Sequence, residues 1–350
     1  MPQISLDQAL FLRPDCEHPQ PLAHSAGFDD AWLPAAEKMM IGFGERPDGM
    51  RCPLTVFARL LTARHVAVVR VIDDAAGQYP TGLRFHFLII SKKDYVERIR
   101  DPFRLAHLVE PTWEARGTMP ALMIPAEAFM PRTVAQLESV LKRIKACALR
   151  EGEDPEAADF VRTAENSESP ALLGGAQILV DGGRLIFERP QGDLSMVSGL
   201  WLLLPEVTRV RLWPTSFAFS RDLEFDVLVT PHVDHPMQEG YTTEEQAADY
   251  PAGSYELELQ TAVESGNQRD LDAVLCRRDG QQTIRLGILL LVVVSVLVFL
   301  SRWINPAPIP DPRPVPAEEI AAFTGIVAVG DPWTAVSMLG TAKMVWGKSK

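Results

Sequence analysis

Four cysteines, Cys16, Cys52, Cys147 and Cys276, are all that this chain of 350 residues contains. No two of them form a C-x-x-C pair, which excludes a thioredoxin-like redox motif and a cysteine-rich zinc module. So sparse a set suits free thiols in a reducing compartment. Positive charge is also in deficit: 34 lysines and arginines face 46 aspartates and glutamates, for a net charge of −12. A general nucleic-acid binder needs clustered cations against the phosphate backbone, so no nucleic acid is expected as a partner. The charge is unevenly spread. Residues 51–150 are the basic part of the chain and 151–250 the acidic part, giving two surfaces for different partners or two solvated faces.

Catalytic and nucleotide-binding signatures are missing as well. Gly42-Phe43-Gly44 is not followed by Lys-Ser/Thr, and Gly347-Lys348-Ser349 has no glycine five residues upstream, so neither is a phosphate-binding loop. Ser195 and Ser198 stand in GDLSMVSGL, not in a G-x-S-x-G elbow. No basic segment leads into an apolar one at the N-terminus, where Asp7 breaks the first apolar stretch. A cleavable signal peptide is therefore not expected, and the N-terminal region is expected to start in the cytoplasm. Nothing calls for a cofactor.

One long apolar run is present, IRLGILLLVVVSVLVFLSRW, from Ile284 to Trp303. About 20 helical residues at about 1.5 Å each match a hydrocarbon core of about 30 Å, so the run is expected to be a single transmembrane helix. Arg277, Arg278 and Arg285 precede or open it and Arg302 and Trp303 close it, as snorkelling cations and an interfacial aromatic would. The excess of arginine before the run predicts a single-pass inner (plasma) membrane protein, held to the lipid bilayer with its N-terminal domains cytoplasmic. Residues 304–350 read as a Pro-rich extended spacer followed by an apolar tail, with 320–346 lying on the membrane, entering it or docking a partner.

The rest reads as α+β: two mixed α/β-sheet domains, 1–150 and 171–280, separated by an acidic linker over 151–170. RHVAVVRVIDDAAGQYPTGLRFHFLIIS, from Arg64, predicts two adjacent strands. PRTVAQLESVLKRIKACALR, from Pro131, predicts a helix with Val134, Leu137, Leu141, Ile144 and Ala148 on one face and a Thr133–Gln136 capping box. In the second domain AQILVDGGRLIFE predicts a hairpin turning at Asp181-Gly182-Gly183. Asp193 caps a helix ending at Leu204-Pro205, and RVRLWPTSFAFS and LEFDVLVTP predict further strands. Thr242 to Asp249 predicts a short capped helix, and a helical hairpin broken at Gly266-Asn267 closes the domain.

The densest set of potential metal ligands is PHVDHP, where His232, Asp234 and His235 offer nitrogen and oxygen donors for part of a zinc or iron site. A complete site needs a further ligand, and a polar loop after a strand has the same composition. His65 and His86 fall in the two early strands, where alternation can place both on a common face.

AHSAGF near residue 23, RHVAVVRVID and GLRFHFLII together resemble the N-terminal domain of bacterial GTPase-associated proteins. GLWLLLPEVTRVRLWPTSFAF resembles their middle domain, in which a helix ends in Leu-Pro before an Arg-rich, aromatic strand. The resemblance implies an accessory role beside a GTPase encoded elsewhere, and it carries no catalytic residues with it. The resulting expectation is a non-enzymatic, membrane-anchored cytoplasmic scaffold or adaptor that binds a protein partner such as a GTPase or its regulatory complex. Two alternatives stand beside it: a membrane-bound metal-dependent hydrolase using His232, Asp234 and His235, and a single-pass signalling protein coupling an exported tail to the inner domains.

Overall fold

β-branched and aromatic residues dominate HVAVVRVID and LRFHFLIIS, and these two runs lie side by side at the centre of a seven-stranded sheet. The computed structural model describes residues 3–14, 18–74, 82–153, 169–276 and 280–304. In chain order the sheet's strands are β1 (Gln3–Arg13), β2 (Gln20–Ser25), β3 (Thr55–Leu60), β4 (His65–Asp73), β5 (Leu83–Ser91), β6 (Gly117–Met119) and β7 (Leu122–Pro125). Their spatial order is β3-β4-β5-β1-β2-β6, with β7 paired to the first residues of β1. All pairs are antiparallel except β2 with β6. β4 and β5 are buried almost throughout, because both faces of the sheet's centre are covered. Helix α1 (Leu33–Gly42) contributes Ala36, Met39 and Met40 to the same core.

After β5 the chain makes a helical turn, α2 (Lys92–Asp94), continues as a π-helical turn over Tyr95–Ile99, and enters α3 (Pro102–Leu108), which packs on β3 and β4. Helix α4 (Val134–Glu153) forms where its periodicity predicts, capped by reciprocal hydrogen bonds between Thr133 and Gln136. Leu137, Val140, Leu141 and Ile144 are its buried face, each worth roughly 1.5–3 kcal/mol of burial. Residues 154–168 of the expected acidic linker lie outside the described residues.

Helix α5 (Leu172–Val180) occupies the first arm of the expected hairpin, so AQILVDGGRLIFE is a helix, a turn and a strand, β8 (Leu185–Glu188). Leu172, Ala176, Ile178 and Leu179 are buried together, and the stretch has no polar face to reveal a helical period. Asp193 caps α6 (Leu194–Leu203), which ends before Pro205 and is followed by a single turn, α7 (Glu206–Arg209). Then come β9 (Val227–Thr230), the short turn α8 (His235–Gln238), β10 (Thr242–Thr243) and α9 (Glu244–Ala248), whose N-terminus is a Thr243–Gln246 capping box. The order β10-β8-β9 is parallel throughout. A helical pair, α10 (Ser254–Glu264) and α11 (Gln268–Leu275), turns at Gly266-Asn267.

RVRLWPTSFAFS forms no regular strand. Pro214 to Ala218 is instead an extended seam between the two sheets. On one side Ser216 N–H donates to Val56 O at 2.9 Å and Ala58 N–H donates to Pro214 O at 3.1 Å. On the other, Thr215 N–H donates to Val227 O at 2.9 Å and Ala218 N–H donates to Val229 O at 2.8 Å. The edge strand β3 of the large sheet and the edge strand β9 of the small one are thereby hydrogen-bonded through a single segment. One apolar core runs from Ile4 to Leu275, and Met1–Thr283 is one compact unit.

The second unit begins at Ile284. Helix α12 runs Gly280–Ile304, with its side chains described from Ile288 to Leu300, all exposed and all apolar except Ser295. Among the described residues no helix is long and apolar enough to cross a membrane. This corrects the expected transmembrane helix over 284–303. The single-pass topology and the inner-membrane localisation rested on that span and fall with it, and the reading as a coupler to an exported tail needs the same span. Arg277 and Arg278 lie outside the described residues, as do the side chains of Arg285, Arg302 and Trp303 and the whole of 305–350.

Candidate functional site

Arginine is the residue that gathers. A cleft of about 370 Å³ opens where the turn after β5 meets the start of α4 and the end of α6. Arg98, Arg100, Arg104, Arg132 and Arg209 line it, against three carboxylates, Glu97, Asp101 and Glu206. The size lies within the range of small-molecule sites, roughly 300–1,000 Å³.

Local folding positions each of these groups. Arg100 closes the π-helical turn in a left-handed conformation, φ 57°, which is uncommon for a residue with a Cβ. Its side chain turns back to hold that shape: Nε donates to Val96 O at 2.9 Å, Nη2 to Glu97 O at 3.0 Å, and Nη1 pairs with Glu206. Trp201 Nε1 donates to the Arg100 carbonyl at 3.1 Å, fixing the turn to α6. Asp101 then caps α3 through its Oδ1, which accepts from Phe103 N–H and Arg104 N–H, both at 3.0 Å. Its Oδ2 lies 2.6 Å from Arg209 Nη2 in a buried ion pair.

Arg132 comes from the segment before α4 and inserts at the C-terminal end of α6. Its Nη1 donates to Leu202 O at 2.7 Å and also to Leu204 O. A cation at this end of a helix satisfies carbonyls that have no partner within the helix. Arg104 Nη1 donates to Met130 O at 3.2 Å. Two nitrogens of this group, Arg132 Nη2 and Arg209 Nε, are buried with no hydrogen-bond partner among the described residues. An unsatisfied buried donor costs about 1–3 kcal/mol, more when charged. Burial, reinforced by the neighbouring Arg209, pushes the Arg132 guanidinium down to about 9, so it stays charged at neutral pH. Tyr95, wholly buried beneath the turn, has its hydroxyl pushed upward by burial and by Asp101.

A second buried polar chain runs through the large sheet. Arg70 donates to the carbonyls of Ala106 and Val109 and, through Nη2, to His86 Nδ1 at 2.7 Å; His86 Nε2 meets Gln8 Oε1 at 2.9 Å. Arg70 can only donate, so His86 accepts at Nδ1 and carries its proton on Nε2. Burial and then the Arg70 charge push the imidazole down to about 3, leaving it neutral. His65 is on the opposite face, since Arg70 is the partner of His86 and lies five residues from His65 along β4. The two histidines therefore do not share a face. His65 packs against Trp32 with the rings tilted by 52° and their centroids 4.8 Å apart.

Of the proposed metal ligands, His232 is exposed and its Nδ1 lies 3.2 Å from Glu188 Oε1. Asp234 caps α8 by accepting from Met237 N–H at 3.0 Å. The side chain of His235 lies outside the described residues. Among those described, no three His, Cys, Asp or Glu residues assemble around a common centre. Cys52 and Cys276 are free. Burial and then Asp73 push the Cys52 thiol up to about 12, so it is inert as a nucleophile.

The arginine cleft was not visible in the sequence. Three of its cations share one short string, VERIRDPFR, but Arg132 and Arg209 join them only through folding. The nearest signal is that dense basic string opening a helix at Asp-Pro. Neither family models, curated proteins nor solved structures give a match to this chain.

Proposed function

We propose that this chain is a non-enzymatic scaffold or adaptor that binds a protein partner, with the arginine cleft as its recognition site. One observation carries the reading: five arginines converge on a cleft with three carboxylates, two of which, Glu206 and Asp101, are already engaged with Arg100 and Arg209. Such a site offers fixed guanidinium forks to an incoming anionic group. The stretch resembling the middle domain of GTPase-associated proteins supplies Leu202, Glu206 and Arg209 to the cleft. It nominates a GTPase or its regulatory complex as the partner. Affinity capture with the tagged full chain tests this. A stoichiometric partner should be recovered with wild type and with Arg116→Glu, an exposed change outside the cleft, and lost with Arg104→Glu. Equal recovery with both variants, or no partner at all, would overturn it.

A further inference from the structure

Resting on the reading of the cleft as the recognition site, we propose that its centre at Arg104, Arg132 and Arg209 binds a phosphoryl group carried as the dianion of a small phosphate monoester. Charge comes first. Arg100 is matched by Glu206, Arg209 by Asp101 and Arg98 by Asp94 at 3.3 Å, whereas among the described residues Arg104 and Arg132 hydrogen-bond to carbonyl oxygens. Glu97 also lines the cleft, so five arginines face four carboxylates, counting Asp94, and the excess positive charge favours an anionic ligand.

Hydrogen bonding points the same way. Arg132 is only 6 % exposed and lines the cleft, and among the described residues its Nη2 has no acceptor and the Nε of Arg209, also 6 % exposed, has none either. Their other nitrogens are tied to Leu202 O, Leu204 O and Asp101, so both planar groups are held in place before a ligand arrives. Donors fixed in this manner fit the several acceptor oxygens of a phosphoryl group, and guanidinium forks match its geometry. The third feature is size and wall chemistry. At about 370 Å³ the cleft has room for more than inorganic phosphate, and Phe103, Phe129, Met130 and Leu202 give it an apolar side for the organic part of an ester.

Thermal unfolding of the full chain, titrated with inorganic phosphate and with phenyl phosphate against chloride at equal ionic strength, is the test. Ligand binding to the folded state raises the midpoint with concentration. Both phosphates should stabilise wild type above chloride, with phenyl phosphate acting at lower concentration than inorganic phosphate. Arg104→Gln should weaken binding roughly ten-fold or more while retaining the wild-type circular dichroism spectrum. Arg132→Gln should do the same if it folds; if it does not, Arg104→Gln decides alone. Equal shifts in phosphate and chloride, or unchanged phosphate binding in Arg104→Gln, would overturn the site. Phenyl phosphate no tighter than inorganic phosphate would overturn the monoester. If phosphate fails yet partner capture still depends on Arg104, the phosphoryl site is refuted and the scaffold reading survives.

Discussion

Burial decides the chemistry of single residues here more than their type does. His86 was legible as a strand residue but its role was not, because Gln8 and Arg70, which fix its tautomer, lie 78 and 16 positions away in sequence. Its folded value of about 3 lies below the ordinary 6.5, so between those limits the unfolded chain binds a proton that the folded chain does not. Stability therefore rises with pH across that window and is lost as pH falls through it, by up to about 1.4 kcal/mol per pH unit from this one group. Denaturant midpoints of wild type and His86→Gln, measured from pH 7 down to pH 3, should converge as the pH drops. Parallel curves would mean that His86 is not held neutral. Arg132 belongs to the same class of buried cation tied to carbonyls, and nothing in MPRT distinguishes it from a surface arginine.

Among the elements, those with explicit end signals were readable. Thr133 with Gln136, Asp193, and Thr243 with Gln246 cap helices as their side-chain chemistry requires. The misreading of Ala176–Val180, which form the second half of α5, has a physical cause. The Gly174-Gly175 pair of that helix serves packing, for a Cβ on Gly174 would stand 2.0 Å from the Ala247 carbonyl oxygen of α9. A glycine that admits a neighbouring helix looks in sequence like a helix breaker. Gly44, which follows α1, shows the other use of the residue: its φ is +96°, and a Cβ would meet Ser220 N at 2.7 Å and Phe219 C at 2.8 Å. Its carbonyl also accepts from Arg13 Nη2 at 2.6 Å. Gly44→Ala should destabilise the chain by about 1–3 kcal/mol, the scale of a residue forced into a sparsely populated conformation, read as a lower urea midpoint. An unchanged midpoint would show that this turn is free to relax.

For the whole molecule of residues 1–283, the large and small sheets are joined by the seam at 214–218, and the cleft lies where turns from both halves of the sequence meet. Neither fact was accessible to local pattern reading. Pro214 and the Thr215-Ser216 pair disguise an extended segment whose hydrogen bonds run to Val56, Ala58, Val227 and Val229. Ser216→Pro removes the N–H that donates to Val56 O and should lower stability by about 3 kcal/mol or more. Hydrogen exchange would then show joint loss of protection in β3 and β9, whereas loss confined to β9 would deny that the seam couples the sheets. The apolar run misled at this scale too: composition alone argued for a span, and among the described residues no helix is long and apolar enough to be one. Guanidinium 1H–15N resonances of Arg132 and Arg209, followed while inorganic phosphate is added at fixed ionic strength, report on the cleft most directly. Saturable shifts at both arginines, needing roughly ten-fold more phosphate in Arg104→Gln, are predicted; resonances that ignore phosphate while others respond would contradict a phosphoryl site in this cleft.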